Sequence, residues 1–259
     1  MSFGVIRKDK ELLLFPVISG AILIAIAASF IIPVIFLTPI GPDTIGLAFV
    51  VFWAVFYFIS FFLTTFFNVA IIGCALLRMD GGDPTLSYGF KYAAERVKVI
   101  VLWALVAATV GLILRAIERN VGFIGKIIVG IIGLAWTIAT YFVVPVIAAE
   151  KLTPFKAMKR SASILKSTWG EALVSNLGIG LIFFLLFLVG LVALIAGFVI
   201  GGITGGLITL VLVVIYWVFL AVLANTVQAV LMAALYRYAT TGKTAEGFPS
   251  QALSNPWTL

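Results

Sequence analysis

The stretch "ALVSNLGIGLIFFLLFLVGLVALIAGFVIGGITGGLITLVLVVIYWVFLAVLANTVQAVLMAALY", Ala172 to Tyr236, decides the fold, because it contains no charged residue. It is far longer than the roughly 20 apolar residues that one helical crossing of a bilayer needs. The segment "GGITGG", Gly201 to Gly206, offers the turn that divides it. A strand reading fails, since apolar and polar residues do not alternate and only helices or closed barrels satisfy backbone groups in lipid. The rest of the chain matches this stretch. Of 259 residues, 63% are hydrophobic and 10% charged, with a mean hydropathy of +1.25. No soluble domain of this length hides that much apolar surface, so most of the chain has lipid as its solvent.

Working outward, the expected fold is all-α: a polytopic membrane helical bundle of six transmembrane helices. It is read as a single integral membrane domain over 1–259, with spans at about 12–37, 45–77, 97–117, 123–149, 171–200 and 205–240. The N-terminus has a basic start and an Ala25-Ile26-Ala27 tripeptide, as a signal peptide would. Its apolar run continues to Leu37, which suits an uncleaved first span. The net charge is +7, and the positions of the basic residues explain it. An inside N-terminus puts Arg7, Lys8, Lys10, Arg78, Lys91, Arg96, Lys98, Lys151, Lys156, Lys159, Arg160, Lys166, Arg237 and Lys243 on the cytoplasmic side. Only Arg115, Arg119 and Lys126 fall outside. That asymmetry predicts a multi-pass cell-membrane protein with both termini cytoplasmic. It attributes the basic balance to topology and anionic lipid headgroups, not to nucleic acid.

The inner loops carry two helix starts. In "LTPFKAM", Thr153 is placed for an N-cap and Pro154 for the first helical position. Phe155, Met158, Ala162, Leu165 and Trp169 then form one apolar stripe, while Lys156, Arg160, Ser163 and Ser167 face the other way. Lys159 and Lys166 sit at the border, and Ile164 is the exception on the polar face. The pattern predicts a cytoplasmic amphipathic helix lying in the interface, with Lys156, Lys159, Arg160, Lys166 and Trp169 as lipid-interface candidates. A second such helix follows a Thr85 cap, with a stripe of Leu86, Phe90, Ala93 and Val97.

"AIIGCALLR" (Ala70–Arg78) lines up with "AVLMAALYR" (Ala229–Arg237), a pairing that allows three hairpin repeats. "VPVIAAEKLTPFKAMKRSASILKSTWG" resembles the pattern P-x4-E-x6-A-[LM]-x-R-S of a broad group of six-helix prokaryotic membrane proteins. Here the matching residues are Pro145, Glu150, Ala157, Met158, Arg160 and Ser161. The start "VIRKDKELLLFP" and the end "ALYRYATTGKTAEGF" resemble one uncharacterised integral-membrane family within that group. The pattern is also distantly similar to the membrane domain of some glycerophosphodiester phosphodiesterases, whose catalytic work belongs to a separate soluble domain. The resemblance implies a fold and a membrane location, and no activity. Physically, Pro145 should bend the fourth span near the inner face. Glu150 is placed either to pair with Arg160 and fix the amphipathic helix, or to sit solvated beside Lys151.

No ionisable residue lies in mid-span, which argues against proton-coupled transport. Uncharged polar residues remain: Thr64, Thr65 and Asn68; Thr137, Thr140 and Tyr141; Asn176; Asn225, Thr226 and Gln228. Of these Asn68, Thr140, Asn176, Asn225 and Gln228 are the polar seam candidates, the alternative being simple bonding across helices. Gly190, Gly197 and Gly201 read as close helix packing. With no histidine and only one cysteine, Cys74, no nucleophile–base pair or metal set can be assembled. The expectation is therefore a non-enzyme without cofactors: a membrane module or accessory component of a transport or envelope system. The alternatives are a channel or facilitator for small neutral solutes, and a lipid-interacting membrane protein. Expected partners are anionic lipids at the cytoplasmic face, together with a second copy or another membrane protein.

Overall fold

The computed structural model describes residues 10–37 and 47–242, with side chains left out at 10, 35–37, 47–49 and 167–177. Among the described residues there is no strand. A 3-10 turn (Lys10–Leu13) leads into α1 (Leu14–Leu37), followed by α2 (Leu47–Met79), α3 (Leu86–Ala94) and α4 (Val97–Asn120). Then come α5 (Phe123–Thr140), α6 (Val143–Glu150) and α7 (Pro154–Thr241). Five stretches are long and apolar enough to cross a membrane: Glu11–Val34, Val50–Met79, Val97–Asn120, Phe123–Glu150 and Gly178–Thr241. The chain has the build of a multi-pass membrane protein.

The longest of these stretches doubles back on itself. Trp217 Nε1 donates to the Phe187 carbonyl at 3.3 Å, and Tyr216 OH donates to the Leu186 carbonyl at 2.9 Å. In a straight helix, residues 30 apart would be separated by about 45 Å. The reversal is at Gly202, whose φ of 59° is in the left-handed region that glycine tolerates. Beside it the two limbs approach closely, with Thr209 against Gly197 and the Trp217 indole against Gly190. Gly201 has nothing near it, so its place is in the turn and not in the packing.

Burial divides the molecule into two levels. At one end, α2 from Phe67 to Ala75, α6 from Val143 to Ala148, and α7 from Val227 to Tyr236 form a closed core with Leu12, Phe15 and Ala93. At the other end, α5 and α7 expose aliphatic side chains, among them Ile124, Ile131, Val192 and Ile200. Small residues make the core close. Gly89 of α3 lies against the Phe15 ring and Cys74 Sγ, and Gly73 of α2 lies against the Tyr92 ring.

The fourth span, expected over 123–149, is matched by the apolar stretch Phe123–Glu150, and it turns at Tyr141–Phe142, between α5 and α6, where the bend expected of Pro145 falls. Pro145 explains the position: it has no N–H for the Tyr141 carbonyl, and its ring crowds that carbonyl. One expectation, the place of Ile164, needs correction at the start of α7. Its buried line is Ala157, Ser161, Ile164 and Leu165, whereas Phe155 is 75% exposed and Ala162 is exposed. Ile164, read as an exception on the polar face, is a core residue. Ala157 and Ser161 are small enough for α7 to dock on α6, and Phe155 and Ala162 of the expected stripe lie exposed, away from that contact. Thr153 does occupy the N-cap position ahead of Pro154, but its side chain makes no capping bond. Thr85 does cap α3, accepting the Tyr88 N–H at 3.2 Å.

Candidate functional site

Two features stand out, a polar junction inside the closed core and a pair of cavities at its upper edge. The junction is built by the break before Pro145. Tyr141 N–H takes the Ile138 carbonyl at 3.3 Å, in a tightened last turn, and Phe142 N–H is left without that partner. Ser161 Oγ accepts it at 2.9 Å. Ser161 is fully buried, so this bond satisfies an amide that water cannot reach.

One turn beyond, Glu150 ends α6 and its Oε1 accepts from Arg160 Nε at 3.0 Å and from Tyr236 OH at 2.8 Å. The expected Glu150–Arg160 pair is therefore made, and the solvated alternative for Glu150 is not what forms. Tyr236, from the far end of α7, is a member that the sequence reading missed. The hydrogen bond to Glu150 holds the Arg160 guanidinium further toward its charged form. The last turn of α6 is held from the other side as well. Its Ala148 carbonyl accepts from Arg96 Nε at 2.5 Å and from Tyr92 OH at 2.6 Å. Arg96 is buried and also lies 3.4 Å over the Tyr92 ring. A cation at a helix C-terminus meets the negative end of its dipole. Arg96 had been counted only as a topology charge. Burial pushes the Tyr92 phenol above its ordinary value.

The cavities lie where α1, α2, α6 and the returning limb of α7 meet. One of about 340 Å³ is lined by Ser19, Thr64, Asn68 and Asn225 among apolar neighbours. The second, of about 160 Å³, takes Asn68 and Asn225 again and adds Tyr141 and Gln228. The structure thus gathers three of the five seam candidates, Asn68, Asn225 and Gln228, from two helices onto shared space. None of these three amides hydrogen-bonds another protein group among the described residues. Thr140 takes no part: its hydroxyl donates to the Trp136 carbonyl at 2.8 Å, as a simple in-helix bond. Thr137 and Thr226 likewise turn back to their own helices. Ser19 was missed, although a serine one residue before Gly20 in an apolar helix is a legible polar interruption.

Of the lipid-interface candidates, Lys156, Lys159 and Lys166 are exposed on α7, and Arg160 is engaged by Glu150. The side chains of Trp169 and Asn176 lie outside the described residues.

A family of unknown function, DUF6159, matches residues 45–248. The chain belongs to this family. The match to DUF6159 takes in the whole junction, from Tyr92 to Tyr236, and the α2 and α7 walls of both cavities. The Ser19 wall, on α1, lies before the stretch that DUF6159 covers. The uncharacterised family suspected from the start and end segments, within the group that shares the motif, fits DUF6159, and the match carries no link to glycerophosphodiester phosphodiesterases. No curated protein and no solved structure matches the chain.

Proposed function

We propose that this chain is a non-enzymatic membrane module that holds a small neutral polar group at the cytoplasmic edge of the bilayer. The observation that carries the reading is the set of three amides, Asn68, Asn225 and Gln228, turned onto shared cavities without protein partners. Asn68 is half-buried, and Asn225 and Gln228 are exposed on the helix surface. In lipid an amide without a partner is costly, so such a site favours water or a ligand that supplies donors and acceptors. Its lack of charge favours a neutral occupant.

Helix lengths support the depth. From Phe123 to Thr140, α5 is about 27 Å long at 1.5 Å per residue, close to the ~30 Å hydrocarbon thickness. Leu47 to Asn68 measures about 32 Å and Gly202 to Asn225 about 35 Å on the same scale. A single plane through Ser19, Asn68, Tyr141 and Asn225 then marks the inner boundary. The closed core with the Glu150 junction projects below it, away from lipid. In this placement α7 crosses twice, giving six spans with both termini cytoplasmic, and the exposed stripe around Phe155 meets the headgroup region. The fourteen-to-three distribution of basic residues favours this orientation over its reverse.

A channel or facilitator for small neutral solutes is the second reading, favoured by the same amides. Against an open pore stand the packed rings of Phe30, Phe52 and Phe56, which fill the outer half of the α1–α2 contact at centroid distances of 4.7 and 5.3 Å. The test is glycerol and urea flux into vesicles containing the purified protein, measured by light scattering. The module reading expects the rate of empty vesicles. Flux that falls in Asn68→Leu and Asn225→Leu would replace it with the facilitator.

A further inference from the structure

We propose that the groove between α5 and the start of α7 holds one acyl chain of an anionic phospholipid, with the Lys166 ammonium on its phosphate. The proposal rests on the membrane placement above. The groove is open to one side, measures about 590 Å³ and is lined by Ala135, Ile138 and Ala139 on α5 and by Ala162, Leu165 and Lys166 on α7. Each helix contributes residues at i, i+3 and i+4, the spacing of one face. Three of the six are alanines, so the helices leave a hollow where larger side chains would interlock. Apart from the lysine, every side chain lining it is hydrocarbon.

Depth and charge choose the occupant. Ile138 is three residues before Tyr141, where α5 ends, so the groove opens at the inner boundary and rises along α5 into the lipid-facing surface. That surface is apolar, with Ile124, Ile128, Ile131 and Leu134 exposed. A hydrocarbon chain fits the hollow, and the Lys166 ammonium is the one charge on its wall. Among the described residues no carboxylate is within ion-pair distance of Lys166. Its long stem lets the ammonium reach the boundary while the methylenes cover apolar surface. Lys159, seven residues earlier on the same face and exposed, adds a second positive charge toward the headgroup. A free phosphate would find one flexible cation here and nothing else to hold it. A chain-bearing anion uses both the groove and the charge.

The experiment uses the full-length protein in detergent, with phosphatidylglycerol or phosphatidylcholine of equal chain length added back and bound lipid counted by native mass spectrometry. The wild type should retain phosphatidylglycerol preferentially. Lys166→Ala should reduce that preference roughly fivefold, the effect of one lysine near an anionic surface. Lys156→Ala, on the same helix but away from the groove, should change it little. Ala162→Phe should expel both lipids by filling the hollow. The proposal is overturned if Lys166→Ala keeps the preference, if Lys156→Ala matches it, or if Ala162→Phe leaves lipid bound. Each variant is first required to melt like the wild type. Membrane placement is decided separately by thiol labelling without any lipid readout, so the groove can fail while the placement stands.

Discussion

Ser161 Oγ accepts the Phe142 N–H at 2.9 Å, joining a helix break to a residue nineteen positions later. Pro145 creates the need for that bond, Ser161 meets it, and the neighbouring Glu150–Arg160 pair fastens the same two helices. The motif P-x4-E-x6-A-[LM]-x-R-S is thus a structural device that docks α7 on α6. Ser161→Ala should lower stability by about 1–3 kcal/mol, the range for stranding a buried amide. Cys74, the only cysteine and buried, supplies the readout, since a thiol-reactive dye reports its exposure on melting. In a Pro145→Ala background the loss should shrink, because a restored helix lets Phe142 N–H turn to the Ile138 carbonyl. Equal losses in both backgrounds would separate the serine from the proline.

Close approach at two glycines gives a second prediction. A Cβ at Gly89 would be 2.4 Å from the Phe15 ring and 2.8 Å from Cys74 Sγ, and one at Gly73 would be 2.3 Å from the Tyr92 ring. Gly89→Ala and Gly73→Ala should each destabilise by about 1–3 kcal/mol through overpacking. Gly133→Ala, with nothing within 4 Å, should melt like the wild type. Matching melting temperatures for all three would refute the packing described for α3.

Glu150 accepts from two donors, so its loss strands both. Glu150→Ala should cost about 1–3 kcal/mol, and Arg160→Ala less than about 1, because the Arg160 side chain is 41% exposed. A double-mutant cycle should give a smaller coupling for Glu150–Arg160 than for Glu150–Tyr236. The reverse order would mean that the ion pair, not the tyrosine, anchors the end of α7.

Alkaline pH should weaken the closed core. Tyr92 has its phenol raised above the ordinary value of 10.0, chiefly by burial. Between the unfolded and folded pKa the unfolded chain therefore binds fewer protons, and stability falls as pH rises. This contribution is complete below about pH 10 and is lost as pH climbs through the folded value. Melting curves from pH 8 to 11 should show a decline that is shallower in Tyr92→Phe. An unchanged slope in that variant would assign the decline elsewhere.

The helices were legible because hydrophobic run length is a local property, and the Gly202 reversal because glycine pairs punctuate such runs. The Tyr141–Phe142 break was legible only as a bend, since Pro145 acts four residues upstream of itself. Which face of α7 would be buried was not legible. The apolar stripe of Phe155 and Ala162 gave a face for the membrane interface, whereas the face that docks on α6 is carried by Ala157 and Ser161, which no hydrophobic periodicity marks. The role of Arg96 was not legible either, because a charge shows its acceptor only when a helix end, here the Ala148 carbonyl, is found to receive it. The convergence of Asn68 with Asn225 needed the three-dimensional register of α2 against α7, which no spacing encodes.

The placement of α7 is the claim on which the cavity, the groove and the orientation all depend. Its most direct test is labelling of single cysteines at Thr204→Cys and Thr241→Cys, in a Cys74→Ser background, with a membrane-impermeant maleimide on intact cells. Both positions are exposed, one beside the reversal and one at the inner end of the returning limb. The account predicts modification at 204 from outside and at 241 only after the membrane is opened. Modification of both from the same side, or protection of 204 from either side, would contradict it.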